Sequence, residues 1–281
     1  MRIFKSAKSI QNHMMVLKKS GAKIGFVPTM GYLHEGHLSL IRRARKDNNV
    51  VVLSIFVNPA QFGPNEDYKR YPRNFKMDLK FARNEGVDIV YCPGVSEMYP
   101  EDYYTYVNVE VLSDVLCGKF RPGHFKGVAT VCTKLFNIIQ PDVVYMGQKD
   151  AQQAVILKQM VKNLNMPLKI KVLPIIREQD GLALSSRNKY LSEDEKKQAL
   201  IIYRSLRTAE FLFKNGVKNA GKIKNKVKNI LLKMPKISIE YIEIVDLNLL
   251  NPVVEIKKSS LLAVAVWIKE VRLIDNIILK P

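Results

Sequence analysis

Cysteine is scarce in this chain, and what there is lies far apart. Cys92, Cys117 and Cys132 are the three in 281 residues, with no CxxC spacing. That excludes a disulfide framework and a thiolate zinc site, and leaves free core or loop thiols. Long apolar runs are missing too: none approaches the ~20 residues that cross a bilayer. The opening MRIFKSAKSIQNHMM lacks the continuous apolar stretch of a secretory signal. Its spacing of Ile3, Phe4, Ala7 and Ile10 predicts an amphipathic helix, or an edge strand leading into one. A cytoplasmic protein is the expectation, with no membrane partner. There is no internal repeat and no glycine-serine linker.

Acid is also in short supply. There are 26 Asp and Glu against 45 Lys and Arg, a net charge of +19. Such a balance raises nucleic-acid binding, but its distribution argues otherwise. Phe211 to Ile239 holds eight lysines and no acid. Within it KIKNKVKNILLK sets Ile223, Val227, Ile230 and Leu231 on one stripe, with lysines outside it and no interleaved aromatics. That is the pattern of a solvated helix face. A basic surface equally attracts an anionic small molecule such as a nucleotide, and no nucleic-acid partner is expected.

Hydrophobic residues make up 47 % of the chain, enough for a sizeable core. KIGFVPT (23–29), VVVLSIFVNP (50–59), VDIVYCP (87–93), VVYM (143–146) and LKIKVLPII (168–176) are short apolar runs that read as strands. Helical spacing fills the intervals: after residue 30, over 75–84, over 128–139 and over 154–164. Strands alternating with helices predict parallel crossover units, hence an α/β, Rossmann-like doubly wound sheet. After about residue 176 the rhythm changes. Ser192 with Glu195 forms a capping-box pattern opening a long helix, and a lysine-rich helix follows. Strand-like runs at 237–246, 261–269 and 271–279 then predict a smaller α+β domain with an antiparallel sheet. The expected division is 1–175 and 176–281. Ligands of doubly wound sheets lie at the carboxyl ends of strands. That rule points to Thr29–His37, Asn58–Gln61, Gly147–Asp150 and the stretch from Arg177.

Only four histidines are present, yet two stand three apart in PTMGYLHEGHLSLIRRA (28–44). A zinc site is one reading, but HEGH is not HExxH and needs a third ligand, while His13 and His124 are distant in sequence. A pair of buried structural histidines is another. Phosphate chemistry fits best. A helix start offers free N–H groups and partial positive charge, Gly31 and Gly36 permit close approach, and two imidazoles add donors. Such fixed donors stabilise the charge that grows when a nucleophile strikes the α-phosphorus of ATP.

Other segments carry matching chemistry. In DGLALSSRNKYLS (180–192), Ser185, Ser186 and Arg187 offer two hydroxyls and a guanidinium fork for phosphate oxygens. In MGQKDAQQ (146–153), Gly147 allows close approach and Lys149 supplies an ammonium. Asp150 suits a ribose, the magnesium shell or a helix start, and Gln153 faces the same crevice one turn later. In FVNPAQF (56–62), the Gln61 amide both donates and accepts, which suits a substrate bearing a carboxylate and hydroxyls. The polar loop FGPNEDYKRYPR (62–73) is a candidate gate beside it.

FVPTMGYLHEGH, SIFVNPAQF, RPGHFKGVATV, MGQKDAQQ, DGLALSSRNKYLS and WIKEVRLIDN, in this order from about Lys23 to Asn276, together resemble the pantoate–β-alanine ligase family. HxGH alone is shared by many nucleotidyl transferases and class I aminoacyl-tRNA synthetases; the combination is specific. The resemblance implies a Rossmann-like domain with a smaller C-terminal lid, usually as a homodimer. It implies that (R)-pantoate attacks the α-phosphorus of Mg-ATP, and that β-alanine then captures the pantoyl adenylate. It further implies ATP contacts from Met30, Gly31, His34, His37, Gly147, Lys149, Asp150, Ile176, Leu184, Ser185, Ser186 and Arg187. Gln61 and Gln153 would hold pantoate, Gln61 would also meet β-alanine, and the proton-donor role would fall on His37. His37, His34, Lys149 and Arg187 are the expected catalytic groups, with Mg2+ carried on the ATP phosphates. Two departures stand out. GQKD replaces the usual GEKD, and Cys117 stands where an acid is common; both are expected to be tolerated. Another transferase of the superfamily, or an RNA-binding protein using the lysine helix, are the competing readings.

Overall fold

Alternation along the apolar strands builds the sheet and both of its faces. The computed structural model describes residues 1–235 and 237–281, so Lys236, one of the eight lysines, lies outside the described residues. In chain order the elements are β1 (Arg2–Phe4), α1 (Ala7–Lys19), β2 (Ile24–Thr29), α2 (Glu35–Asp47), β3 (Val50–Ile55), α3 (Phe75–Asn84), β4 (Ile89–Tyr91), α4 (Val95–Met98), α5 (Cys117–Phe120), α6 (His124–Ile139), β5 (Val143–Gly147), α7 (Ala151–Asn163), β6 (Lys169–Leu173), α8 (Glu193–Lys214), α9 (Ala220–Leu231), β7 (Ile237–Asp246), β8 (Ser260–Ile268) and β9 (Val271–Leu279). The N-terminal segment is both things expected of it, an edge strand and then an amphipathic helix.

Strands β1 to β6 form one parallel sheet in the order β1-β4-β3-β2-β5-β6. Successive side chains point to opposite faces. Ile24, Phe26, Val52, Ile89, Tyr91, Val144 and Met146 therefore join one core with α1, α6 and α7. Val27, Val51, Leu53, Val90 and Tyr145 join a second core with α2 and α3. Burial on both faces explains why these strands read as continuous apolar runs rather than alternating ones. From β2 the chain winds outward through β3 and β4, then returns to place β5 on the other side of β2. This reversal opens a crevice beyond the carboxyl ends of β2 and β5.

The three C-terminal strands form an antiparallel sheet, order β7-β8-β9. Leu262, Val264 and Val266 of β8 pack with α8 and α9, whereas Leu261 and Ala263 join the core shared with α6. The capping box of α8 is formed: Ser192 N–H donates to Glu195 Oε2 at 2.8 Å, and Glu195 N–H to Ser192 Oγ at 3.3 Å. On α9, Ile223, Val227 and Leu231 are fully buried, so the apolar stripe and solvated lysine face are as the spacing required. Two ties fix the C-terminal sheet near the crevice. Arg177 forms a fork on the buried Asp275 carboxylate at 2.7 and 2.9 Å. Asn276 Nδ2 donates to the Gln148 and Lys149 carbonyls, each at 3.0 Å. Among the described residues no helix is long and apolar enough to cross a membrane.

Candidate active site

His34 is the N-cap of α2, in extended backbone, and His37 stands in the helix's first turn. Gly36 N–H donates to His34 Nδ1 at 3.2 Å, and His34 N–H donates to His37 Nδ1 at 3.4 Å. Each Nδ1 is thus an acceptor, so each neutral ring carries its proton on Nε2. The rings stack with centroids 4.1 Å apart. Gly36 is required for this arrangement, because a Cβ there would lie 2.9 Å from His34 Cε1. Burial, then the Lys149 charge, lowers the His34 pKa to about 4. Burial and the neighbouring His34 hold His37 well below the usual imidazole range. The pair enters neutral chemistry as two Nε2–H donors. One expectation needs correcting: the helix start does not offer a row of free backbone N–H groups, since those of His34 and Gly36 are already spent on imidazoles.

Met30, His34, His37, Gln61, Gly147, Lys149, Asp150, Gln153, Ile176, Leu184, Ser185, Ser186 and Arg187 line one cavity of about 220 Å³ at the β2–β5 reversal. Gly31 alone of the expected residues does not line it. Gly31 is buried, with its N–H donating to Thr29 Oγ1 at 3.1 Å, and its part is to shape the loop. Lys149 Nζ lies 3.5 Å from the half-exposed Asp150 carboxylate, a loose pairing that leaves the ammonium available. Ser185 caps the short turn of Ser186–Tyr190, its Oγ accepting from Arg187 N–H at 3.3 Å. Arg187 itself is engaged. Its Nε and Nη2 donate to Asp67 at 3.0 and 2.7 Å. Burial opposes the guanidinium charge, but Asp67 outweighs it and raises the Arg187 pKa.

The Gln61 amide is oriented by its neighbours. Asn58, almost fully buried, donates from Nδ2 to Gln61 Oε1 at 3.0 Å and to the Gly127 carbonyl at 3.1 Å. Asn58 Oδ1 accepts from Ala60 N–H and Tyr99 Oη. The Gln61 oxygen being held, its Nε2 faces Met30 Sδ at 3.2 Å as the donor. Behind it, His124 Nε2 lies 3.0 Å from Arg121 Nη1, a permanent donor. His124 Nδ1 must therefore carry the proton that goes to the Gln61 carbonyl at 2.7 Å. Burial and the Arg121 charge push His124 down to about 3. The cavity floor is apolar: Phe56, Val128, Val131, Cys132, Leu135 and Met146.

A family model described as pantoate-beta-alanine ligase matches residues 2–278. The chain belongs to that family. The pantothenate synthetase of Thermotoga neapolitana is 54 % identical over 279 residues, 99 % of this chain and 100 % of that one. That of Moorella thermoacetica is 50 % identical over 280 residues, covering 100 % and 99 %. Among solved structures, the pantothenate synthetase of Thermus thermophilus superposes with a TM-score of 0.95 at 41 % identity, covering all of both chains. The pantoate-beta-alanine ligase of Francisella tularensis, complexed with beta-gamma ATP and beta-alanine, gives a TM-score of 0.81 at 37 % identity, covering 99 % and 97 %.

Within this ligase fold some lining residues escaped the sequence reading. Val128, Val131 and Leu135 form a helical stripe that looked like ordinary core, and a stripe cannot tell core from cavity wall. Asn58 lay inside a recognised motif, but its four hydrogen bonds have no one-dimensional signal. The two departures find places. Gln148 Nε2 donates to Asn276 Oδ1 at 3.1 Å and Asn276 Nδ2 returns a bond to the Gln148 main-chain carbonyl, so the turn after β5 is held to β9. Cys117 is buried, and its N–H donates to Gln152 Oε1 at 3.0 Å.

Proposed function

We propose that this enzyme condenses (R)-pantoate with β-alanine at the expense of ATP, forming pantothenate through a pantoyl adenylate and releasing pyrophosphate and AMP. One observation carries the reading: two neutral imidazoles, each with Nδ1 bonded to backbone, expose paired Nε2–H donors in the same cavity as Lys149 and Ser185–Arg187.

The pantoate carboxylate attacks the α-phosphorus, and negative charge grows on its oxygens. His34 and His37 donate to that charge, His37 serving the departing pyrophosphate side, while Lys149 and Arg187 neutralise the phosphates. Met30, Gly147, Asp150, Ile176, Leu184, Ser185 and Ser186 complete the nucleotide's contacts, with Gly31 acting through the loop backbone. Gln61 and Gln153 hold the pantoate hydroxyl and carboxylate. The apolar floor suits its two methyl groups, which bind by exclusion of water. The amine of β-alanine, guided by Gln61, then attacks the acyl carbon and AMP leaves. Mg2+ would travel with the ATP phosphates. Asp150 is the one carboxylate among the described lining residues, and Mg2+ commonly takes one or two carboxylates plus phosphate oxygens and water. Residues 176–281 act as the lid that brings Ser185–Arg187 over the nucleotide and keeps water from the reactive acyl phosphate.

The enzyme works in the cytoplasm as a homodimer. The surface that suits a second copy is residues 103–110, a segment outside helix and strand in which Tyr104 and Tyr106 are 84 % and 50 % exposed. Sedimentation of a Tyr104→Lys variant tests this; an unchanged mass would place the contact elsewhere.

Pyrophosphate exchange tests the reaction. ATP–pyrophosphate exchange should require pantoate but not β-alanine, and AMP with pantothenate should appear only when β-alanine is added. Exchange supported by a phosphorylated alcohol instead, with the nucleotide kept on the product, would identify another transferase.

A further inference from the structure

Asp78 is a carboxylate only 2 % exposed, in the first turn of α3, and no motif of the family resemblance includes it. It makes no ion pair among the described residues. Nor does it cap its own helix, because Asn74 does so, its Oδ1 accepting from Met77 N–H at 3.2 Å. The carboxylate reaches out of its helix to the loop between β2 and α2. Tyr32 N–H donates to Asp78 Oδ2 at 2.9 Å, and Leu33 N–H donates to Oδ1 at 2.7 Å.

That loop has a backbone conformation of its own to maintain. Gly31 has φ +85° and Tyr32 φ +53°, so two successive residues sit in the left-handed region. Out of this turn the consecutive Tyr32 and Leu33 N–H groups converge on one carboxylate. The charge that meets these two donors comes from a side chain of α3. A Cβ on Gly31 would stand 3.0 Å from Asp78 Oδ2, so the carboxylate and the glycine are fitted to each other. A non-glycine residue at positive φ is strained and must be held by its surroundings. Asp78 holds the Tyr32 N–H, while Ser186 Oγ reaches the Tyr32 carbonyl and Lys189 lies over the Tyr32 ring. Burial raises the Asp78 pKa, and the two backbone bonds oppose that rise.

The consequence runs directly into the site. Gly31 N–H goes to Thr29 Oγ1, Tyr32 and Leu33 N–H to Asp78, and His34 N–H to His37 Nδ1. Four consecutive backbone donors are thus fixed by side chains, and the last of them sets the His37 ring. We infer that Asp78 is the positioning residue of the histidine loop, holding the backbone turn from which His34 and His37 present their Nε2–H donors. This rests on the proposed adenylation, and it predicts that Asp78 serves the first half-reaction only.

Asp78→Asn keeps the shape but turns one acceptor into an amide that faces a backbone N–H. The expected result is a split. Pantoate-dependent pyrophosphate exchange should lose kcat on the order of 10²-fold, the usual cost of a small misplacement of catalytic groups, with the pantoate KM nearly unchanged. Aminolysis of supplied pantoyl adenylate by β-alanine should stay within about twofold of wild type. In imidazole NMR spectra the His34 and His37 signals should move, while those of His13 and His124 stay. Gly31→Ala, which presses a methyl against the same carboxylate, should give the same split and serves if Asp78→Asn folds poorly. Unchanged exchange, or an equal fall in both half-reactions accompanied by shifts at His13 and His124, would overturn the assignment. The NMR readout needs no turnover: if wild-type protein showed no exchange, the proposed reaction would fail while the ring signals still decided the role of Asp78.

Discussion

Arg187 of the Ser-Ser-Arg turn spends its guanidinium fork on Asp67, a residue of the 62–73 loop 120 positions earlier, with bonds of 3.0 and 2.7 Å. The same loop is tied on its other side, where Arg121 Nε donates to Glu66 Oε1 at 2.8 Å. Tyr190 Oη donates to the Arg70 carbonyl at 2.8 Å. The group expected to meet phosphate is therefore already partnered by a carboxylate that occupies the phosphate's role.

Asp67→Asn should release that fork. ATP would no longer compete with an internal anion, so the ATP KM should fall by about fivefold, the equivalent of ~1 kcal/mol for a partly exposed pair. The 62–73 loop should at the same time become more sensitive to protease. A raised ATP KM would mean that the pair persists with nucleotide bound and supports binding.

Replacing His37 by Ala should lower pyrophosphate exchange by ~10²–10³-fold, the range for losing a preformed donor. His34→Ala removes both a donor and the N-cap acceptor for Gly36, so it should cost comparable rate and, in addition, about 1 kcal/mol of stability. Calorimetry beside the exchange assay separates the two effects. A His34→Ala protein with wild-type Tm would show that the cap bond contributes little.

Gln61→Ala should act through pantoate. Its Nε2 is the donor end once Asn58 has fixed the oxygen, with two N–H groups of which Met30 Sδ takes one, and the substrate carries carboxylate and hydroxyl acceptors. The pantoate KM should rise by ~10-fold or more, matching the loss of one hydrogen bond to a charged group, with the ATP KM little changed. A change confined to ATP would remove Gln61 from the pantoate end.

The half-buried histidines set a pH dependence of stability. His34 and His124 have folded pKa values of about 4 and about 3, and His37 is also well below 6.5. In the unfolded chain all three take up protons near pH 6.5. Their native arrangement is therefore fully favourable above about pH 6.5, and it loses stability as pH falls from there toward about 4. Tm should be flat from about pH 8 to 7 and drop by several degrees between about pH 6.5 and 4.5. Exchange should show no inflection near about pH 6.5 from these rings. A level Tm across that interval would contradict their burial as neutral groups.

The doubly wound sheet was legible because β2, β3 and β5 are buried on both faces and leave unbroken apolar runs. The three-residue β1 left no such run, and only its Ile3-Phe4 pair hinted at an edge. That HEGH shares a cavity with Lys149 and the Ser-Ser-Arg turn was legible, yet its detail was misjudged: the sequence promised free backbone donors, and the histidines consume those of His34 and Gly36. Asp78 was invisible for a different reason. Its partners are the main chain of Tyr32 and Leu33, 46 and 45 residues away, and a main-chain partner leaves no residue type to recognise. Arg121 and His124 stood in a quoted motif, but that they converge on the Gln61 carbonyl depends on how α6 lies against the turn at 59–61.

The run of donors from Gly31 to His34, each satisfied by a side chain, makes the loop's shape a property of folding rather than of catalysis. Its conformational entropy is surrendered once, when the chain folds, and not again with every nucleotide that arrives. On the proposed reading, binding energy from ATP would then be left for releasing the loop that Asp67 tethers, with rigidity on one wall of the cavity and motion on the other.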